Sequence, residues 1–372
     1  MIFSCERALL NAAINTAGRA VSPKSSIPAL EGILLETGTG RVNLTGYNLE
    51  TGIRTTVEAD VREEGSIVVS SRLFGDIVRN LPDDMVKIST DGLVINITCG
   101  LSDYHIMGTD PREFPDLPSV DDGHTVFVRQ SKMKSMINQT IFAVSDNESR
   151  PIHTGSLFEI ENGSLTMVSV DGYRLALRRE PIERTVGAMG FSFVVPGSAL
   201  KEVERICSDC DDSVEITQGK RHILFQMGST LLISRRLEGE FLNYKQTIPR
   251  NNPVRVEAVK RDIQTCVERV SLIISEKLKS PLRCTFGENV LSITSKTAVG
   301  DAFDSCDYKG DGKNLEIGFN HKFLMDAIKA APAEKVVLEL NTPTSPCIVL
   351  PTEGKEDNFL YMVLPVRLKA GD

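Results

Sequence analysis

Near the start of the chain, Leu9, Leu10, Ala13, Ile14 and Ala17 recur at helical spacing, while Arg7, Asn11, Asn15 and Arg19 fall near the opposite face. That pattern predicts an amphipathic helix beginning near Glu6. The period returns near Ser131, where Met133, Met136, Ile137 and Ile141 are predicted buried and Lys132, Lys134, Asn138 and Gln139 wet, and again near Val259. Strand-like segments running into a turn follow at residues 41–49, 164–173 and 289–299. A second helical stretch occupies 71–81, 197–207 and 320–330, each entered through a capping or turn residue. In the middle one, Leu200, Val203, Ile206 and Cys207 oppose Lys201 and Arg205. Paired strands close each copy at 85–97, 213–225 and 335–350. Helix, strands, helix, strands is thus written three times, about 125 residues apart, far beyond the roughly 20 to 50 residues of a solenoid unit. Each copy is expected to be a whole domain, giving an α+β protein of three similar domains at residues 1–120, 125–250 and 253–372.

A chain of 372 residues exceeds what one core usually holds, and a third of it is a common domain size. Proline-rich junctions mark the divisions: Phe114-Pro115-Asp116-Leu117-Pro118 before Asp121-Asp122-Gly123, and Ile248-Pro249-Arg250-Asn251-Asn252-Pro253. Proline fixes its own dihedral and biases its predecessor toward extended backbone, so these read as short, stiff linkers. With no secretory leader pattern and no apolar run of membrane-spanning length, a soluble, cytoplasmic protein is expected.

Eight cysteines are too sparse for a disulfide framework. Cys207-Ser208-Asp209-Cys210 has the spacing of a metal or redox pair, but no second pair completes a zinc site and the motif ends a helix rather than opening one. It reads as two ordinary thiols. There is no phosphate-binding Gly-rich loop, nucleophile elbow or zinc-protease helix. The clusters Asp60 with Glu63 and Glu64, Asp83 with Asp84, and Asp121 with Asp122 lie in polar, turn-like stretches, where Asp is common for its own hydrogen bonding. No catalytic residue, metal or cofactor is expected.

Charge changes the picture. The net charge is −8, yet the polar helix faces lean basic or neutral. Either Lys and Arg merely solubilise the helices, or the molecule has two electrically different surfaces, one of them suited to a polyanion.

The final stretch, Tyr361-Met362-Val363-Leu364-Pro365-Val366-Arg367-Leu368, resembles the C-terminal signature of the bacterial DNA sliding clamps, the β subunit of the replicative DNA polymerase III. Other stretches resemble the same family in order along the chain: Ile27-Pro28-Ala29-Leu30-Glu31-Gly32-Ile33, Glu113-Phe114-Pro115-Asp116-Leu117-Pro118, and Phe142-Ala143-Val144-Ser145 running into Glu148-Ser149-Arg150-Pro151-Ile152 and Thr154-Gly155. They continue with Val170-Asp171-Gly172-Tyr173-Arg174-Leu175-Ala176, and Gly239-Glu240-Phe241 with Tyr244 and Ile248-Pro249.

The resemblance implies a homodimer closed head to tail into a ring of six domains, with helices lining the hole and sheets outside. It implies a processivity factor that encircles duplex DNA without reading sequence, and no enzyme. Lys24 and Arg150 match loops that touch DNA in the family. Arg72, Arg79, Lys132, Lys134, Lys201, Arg205 and Lys322 are added from helix faces.

A pocket for partner peptides is implied between the second and third domains, its wall including Gly172, Tyr173, Arg174, Leu175, Leu242, Thr247 and Leu278. Asn320, Phe323, Met362, Leu364, Pro365, Val366 and Arg367 complete it. The partners implied are the replicative polymerase, the clamp loader and repair proteins, with no membrane. Tyr104, Ile106, Leu272 and Ile273 are apolar candidates for the subunit border, where Arg72 could reach Asp301 or Asp304. The competing reading has Leu272 and Ile273 extending a helix core stripe.

Leu242 and Val170 depart from the family's commoner residues at the pocket, and Lys369-Ala370-Gly371-Asp372 is expected to be a frayed tail. The alternatives, a metal-dependent nuclease acting on DNA and a ring scaffold indifferent to DNA, lack a sequence feature of their own.

Overall fold

A computed structural model of the chain describes residues 1–120, 123–187, 190–275, 280–352 and 359–368. Among them the helical periods become α1 (Arg7–Ala17), α2 (Ser71–Asn80), α3 (Gln130–Thr140), α4 (Gly197–Ile206), the single turn α5 (Tyr244–Thr247), α6 (Lys260–Ser271) and α7 (His321–Ala330). Side-chain caps start two of the second helices at the same place. The Ser70 hydroxyl accepts from the Leu73 N–H, and the Asn320 side chain accepts from the N–H groups of Lys322 and Phe323. The sequence pattern missed a short strand before each first helix: Ile2–Glu6, His124–Arg129 and Val254–Val259. Each is only five or six residues long, too short for alternation to stand out.

Two compact units emerge. The first gathers Met1–Lys134, Glu183–Ala188 and Glu202–Arg236; the second gathers Ser135–Ile182, Met189–Lys201 and Leu237–Asp372. The middle third is divided because its strands continue the sheets of its neighbours in sequence.

In the first unit, five strands run in the order Asp60–Glu63, Ile2–Glu6, Met85–Asp91, Val94–Cys99, Ser102–Met107. A nine-stranded antiparallel sheet runs from Arg184–Val186 through His124–Arg129 to Gly65–Ser70. One core joins both sheets to α1 and α2: Leu10, Ile14 and Ala17 meet Phe74 and Val78, with Phe3, Ile88 and Ile97 from one sheet and Ile33, Leu44 and Val69 from the other. The second unit holds a ten-stranded sheet, and its core repeats the scheme with Ile263, Val267 and Val270 of α6 against Leu324 and Ile328 of α7.

Three positions depart from the pattern. Leu9 is 45% exposed, because Leu10, Ala13, Ile14 and Ala17 already fill the stripe and Leu9 sits one residue to its side. Gln139 is buried rather than wet, its amide donating to the Ser135 hydroxyl one turn back at 2.7 Å. Ile141 lies beyond α3 in a 3-10 turn and is only half-buried.

The feature that positions the site is a joint built twice. In the first unit, Thr51–Glu58 pairs with Thr230–Arg235, setting Thr51 opposite Ser234. In the second, Arg174–Pro181 pairs with Phe359–Val363, setting Arg174 opposite Val363. Each joint opens with the same turn. The Asn48 side-chain oxygen accepts from the N–H groups of Glu50 and Thr51, and the Asp171 carboxylate accepts from those of Tyr173 and Arg174. Each is tied to the neighbouring strand alike: the Arg235 N–H donates to the Glu50 carbonyl at 2.9 Å, and the Leu364 N–H to that of Tyr173 at 2.9 Å.

Candidate docking pocket and nucleic-acid interface

The second joint carries the candidate pocket. Gly172 sits at φ +93°, a conformation side chains resist, and this lets the turn present Tyr173 outward, 62% exposed. The Tyr173 ring stacks on Phe323 of α7 at 5.7 Å between centroids. Such a pair contributes about 0.5–1.5 kcal/mol beyond its buried area.

Arg174 points the other way. Its Nε donates to Asp171 Oδ2 at 2.9 Å, its Nη1 donates to Asp326 Oδ2, and its guanidinium lies 4.6 Å over Phe323 and 5.4 Å from Phe142. Two carboxylates and two rings therefore hold it as a fixed planar wall. Asp326, Asp171 and Phe142 were missed as pocket residues. The one available signal for Asp326 was its spacing, one helical turn after Phe323 on the same helix.

Beneath this wall, Leu175 and Met362 are buried in a cluster with Val170, Tyr244 and Ile348, while Leu364 packs against it half-buried. Leu175 and Met362 thus act as floor rather than as open wall. Tyr244 is fixed from behind, its hydroxyl donating to Glu159 Oε2 at 2.7 Å; burial and then that carboxylate push the phenol well above its usual range. On either side of it, Leu242 and Thr247 are exposed. Asn320 serves as the α7 cap. Val366 bridges to Gly318, its N–H donating to the Gly318 carbonyl at 2.8 Å, and Pro365 is half-buried beside it. Arg367 lines a separate cleft of about 710 Å³ with Lys313, Asn341 and Pro343. Leu278 lies outside the described residues, as do Asp121, Asp122 and the expected tail from Lys369 to Asp372.

Eight of the nine candidate DNA contacts are exposed, and Lys134 is partly buried. Lys24 projects from the loop after α1, and Arg150 from the loop before residues 151–154. Ion pairs already hold Arg79 to Asp76, Lys134 to Asp209 at 2.9 Å, and Arg205 to Glu202 at 2.6 Å. Carboxylates are thus commoner on these helices than the pattern suggested. Even so, α1 to α4, α6 and α7 together hold twelve Lys and Arg against six Asp and Glu, in a chain of net charge −8. Exposed pairs contribute only about 0–1 kcal/mol, little enough for a phosphate to displace the carboxylate.

At the candidate border, Leu272 follows the end of α6 and is 84% exposed, so it does not extend the core stripe; Ile273 is half-exposed. Tyr104 is exposed and Ile106 packs partly on the first core. Asp304 is already held by Arg269 at 3.2 Å, whereas Asp301 is exposed. An ion pair from Arg72 to Asp304 would have to displace that arginine.

The Cys207 thiol is pushed up to about 12 by burial, which makes it a poor nucleophile. Among the described residues no three His, Cys, Asp or Glu side chains converge as metal ligands, and no helix is long and apolar enough to cross a membrane.

Family models for the N-terminal, central and C-terminal domains of the DNA polymerase III beta subunit match residues 1–118, 127–243 and 245–367. The beta sliding clamp of Halalkalibacterium halodurans is 32% identical over 99% of this chain and 100% of its own length. That of Staphylococcus epidermidis is 30% identical over 99% of both. Among solved structures, the sliding clamp of Bacillus subtilis superimposes with TM-score 0.94 at 26% identity, covering 99% of this chain and 100% of that one. A Pseudomonas aeruginosa clamp bound to griselimycin gives 0.93 at 25% identity, with the same coverage. Three α+β domains linked by continuous sheets thus define a protein of the sliding-clamp fold. The chain belongs to the bacterial DNA polymerase III beta subunit family, and its function is that of a sliding clamp in DNA replication.

Proposed function

We propose that two copies of this chain, each with domains at 1–120, 125–250 and 253–372, join head to tail into a closed ring around duplex DNA. One observation carries the ring: the joint is completed twice within the chain, and each half of a third is left over. Ser102–Met107, the last strand of the first domain, stands at a sheet edge with Tyr104 and Met107 exposed. Residues 300–307 pair only with the other arm of their own hairpin among the described residues, with Phe303 exposed and Val299 exposed at the turn. Unpaired edges of this kind seek a partner strand. Pairing the first domain of one copy with the third of the other is a heterologous contact, and closure after two subunits stops growth.

Inside the ring, cations from the helices attract phosphates weakly and without reading bases, so the protein slides while topology retains it. The residues assigned to this contact are Lys24, Arg72, Arg79, Lys132, Lys134, Arg150, Lys201, Arg205 and Lys322. The Tyr173, Arg174 and Phe323 wall over its apolar floor binds short peptides of the replicative polymerase, the clamp loader and repair proteins. Tethering converts their return to DNA into an intramolecular event at high effective concentration, and the protein performs no chemistry of its own.

The test is retention on circular DNA after loading. The ring reading expects twice the 40.9 kDa chain mass in solution and release when the circle is cut. A monomer, or retention indifferent to cutting, would overturn it. Lys24→Glu with Arg150→Glu is expected to impair loading.

A further inference from the structure

The two joints share a turn, a strand register and a hydrogen bond to the neighbouring strand, yet they are finished differently. At the second, the rim is aromatic and apolar. At the first, the matching floor is filled: Phe114 and Leu117 of the linker pack with Tyr47, and a Cβ on Gly52, the counterpart of Leu175, would lie 2.4 Å from Leu117 Cδ2. Around that filled floor gathers positive charge.

Lys220 and Arg221 precede the strand His222–Met227, and Arg235 and Arg236 end the strand paired with it. His222 stands opposite Arg235 in register, and the Arg236 N–H donates to the Arg221 carbonyl at 3.0 Å, so these groups share one ribbon end. Lys220, Arg221 and Arg235 are exposed and Arg236 is half-buried, with its Nε lacking a partner. None of these four forms an ion pair among the described residues. The neighbouring turn adds one carboxylate, Glu50, and one exposed apolar side chain, Leu49. Leu49 is 48% exposed and held at φ +74°, the slot that Gly172 occupies at the second joint. A bulky residue there is strained, and such strain persists only where surrounding structure enforces it.

We propose that this cationic rim around Leu49 is a second docking surface, which takes an acidic peptide segment of a partner protein carrying an apolar residue. It goes beyond the pocket reading, since it uses none of the pocket residues. Charge complementarity argues for the acidic partner, since four clustered cations on a protein of net charge −8 form a local field of opposite sign. A peptide fits better than a nucleic acid. Sequence-independent strand binding relies on exposed rings for base stacking, and the tyrosine here, Tyr47, is buried.

The experiment is fluorescence anisotropy on the full-length protein, using a labelled Asp/Glu-rich decapeptide with one central Leu, its Asn/Gln analogue, and a labelled oligothymidylate. The acidic peptide is expected to bind at least about tenfold tighter than the neutral one at low salt, and to weaken steeply with added salt. Arg221→Glu with Arg235→Glu should remove that advantage, as should the milder Arg221→Gln with Arg235→Gln, while retention on circular DNA is unchanged. Equal binding of the acidic and neutral peptides overturns the proposal. So does oligothymidylate binding that exceeds peptide binding and vanishes in the same variants, which would mark a nucleic-acid surface. Because peptide binding and DNA retention are read separately, failure here is distinguishable from failure of the ring.

Discussion

The joint at Thr51–Glu58 and the joint at Arg174–Pro181 are built from one plan, yet one is sealed and the other is open. Both use a side-chain oxygen, from Asn48 or Asp171, to gather two backbone N–H groups, and both bond the turn to the next strand at 2.9 Å. The difference lies in the side chains that pack against the turn. In the first joint, Leu117 folds back into the space that Gly52 leaves, and Phe114 is buried in the same cluster as Tyr47. In the second, Leu175 supplies the floor from the strand itself, and Tyr173 and Phe323 stand over it. A repeated architecture thus presents different side chains at the same turn: packed linker residues at one copy, exposed aromatic and apolar groups at the other.

The sharpest way to break this comparison is to unplug the sealed joint. Phe114→Ala removes a buried ring and is expected to cost about 3 kcal/mol, read as a lower urea midpoint. Tyr173→Ala at the open joint should cost less, about 1 kcal/mol, because the side chain is mostly in water and loses chiefly its stack on Phe323. It should instead lower the affinity of an apolar clamp-binding peptide about tenfold in a titration, since exposed aromatics often carry interface energy.

Exchanging the turn residues sharpens the contrast further. Gly172→Leu forces a side chain into the left-handed region and should destabilise the protein by about 1 kcal/mol, whereas Leu49→Gly should relieve strain and stabilise by up to about 1 kcal/mol. Paired denaturation curves decide both, and equal signs for the two exchanges would contradict the strain at Leu49.

The smallest effect is one of pH. His222 near the first joint is held below the ordinary 6.5, first by burial and then by Arg235 and Arg221; His153, whose ring meets Phe241 near the second, is lowered by burial and then by Arg150. A folded pKa below the unfolded one means that the unfolded chain binds protons first. This share of stability is therefore complete above about pH 6.5 and lost as pH falls through the folded values. Thermal melts at decreasing pH should fall accordingly, and His222→Gln should blunt the fall.

Much of the fold was legible because it is local. The stripe Leu10, Ala13, Ile14, Ala17 and its counterparts in α3 and α6 announce themselves by period alone, and Ser70 and Asn320 mark helix starts by their own chemistry. Gln139 was misread because its burial depends on an amide bonding to Ser135, which period cannot express. Tyr173 and Arg174 were placed in the pocket by resemblance. Asp326 was missed, since its role arises only when α7 is laid against a turn 152 residues earlier in sequence.

Sequence by itself determined that there are three like modules, where their helices run, and that the polar helix faces lean basic or neutral in an acidic chain. Tertiary structure decided which joint the linker packs shut, which cations are already paired, and that Ser102–Met107 stands at a sheet edge. The reason is physical: helical period and capping are written within a turn or two of chain. Cavity filling and edge pairing depend instead on contacts between residues tens to hundreds of positions apart, such as Leu117 with Gly52 and Arg174 with Asp326.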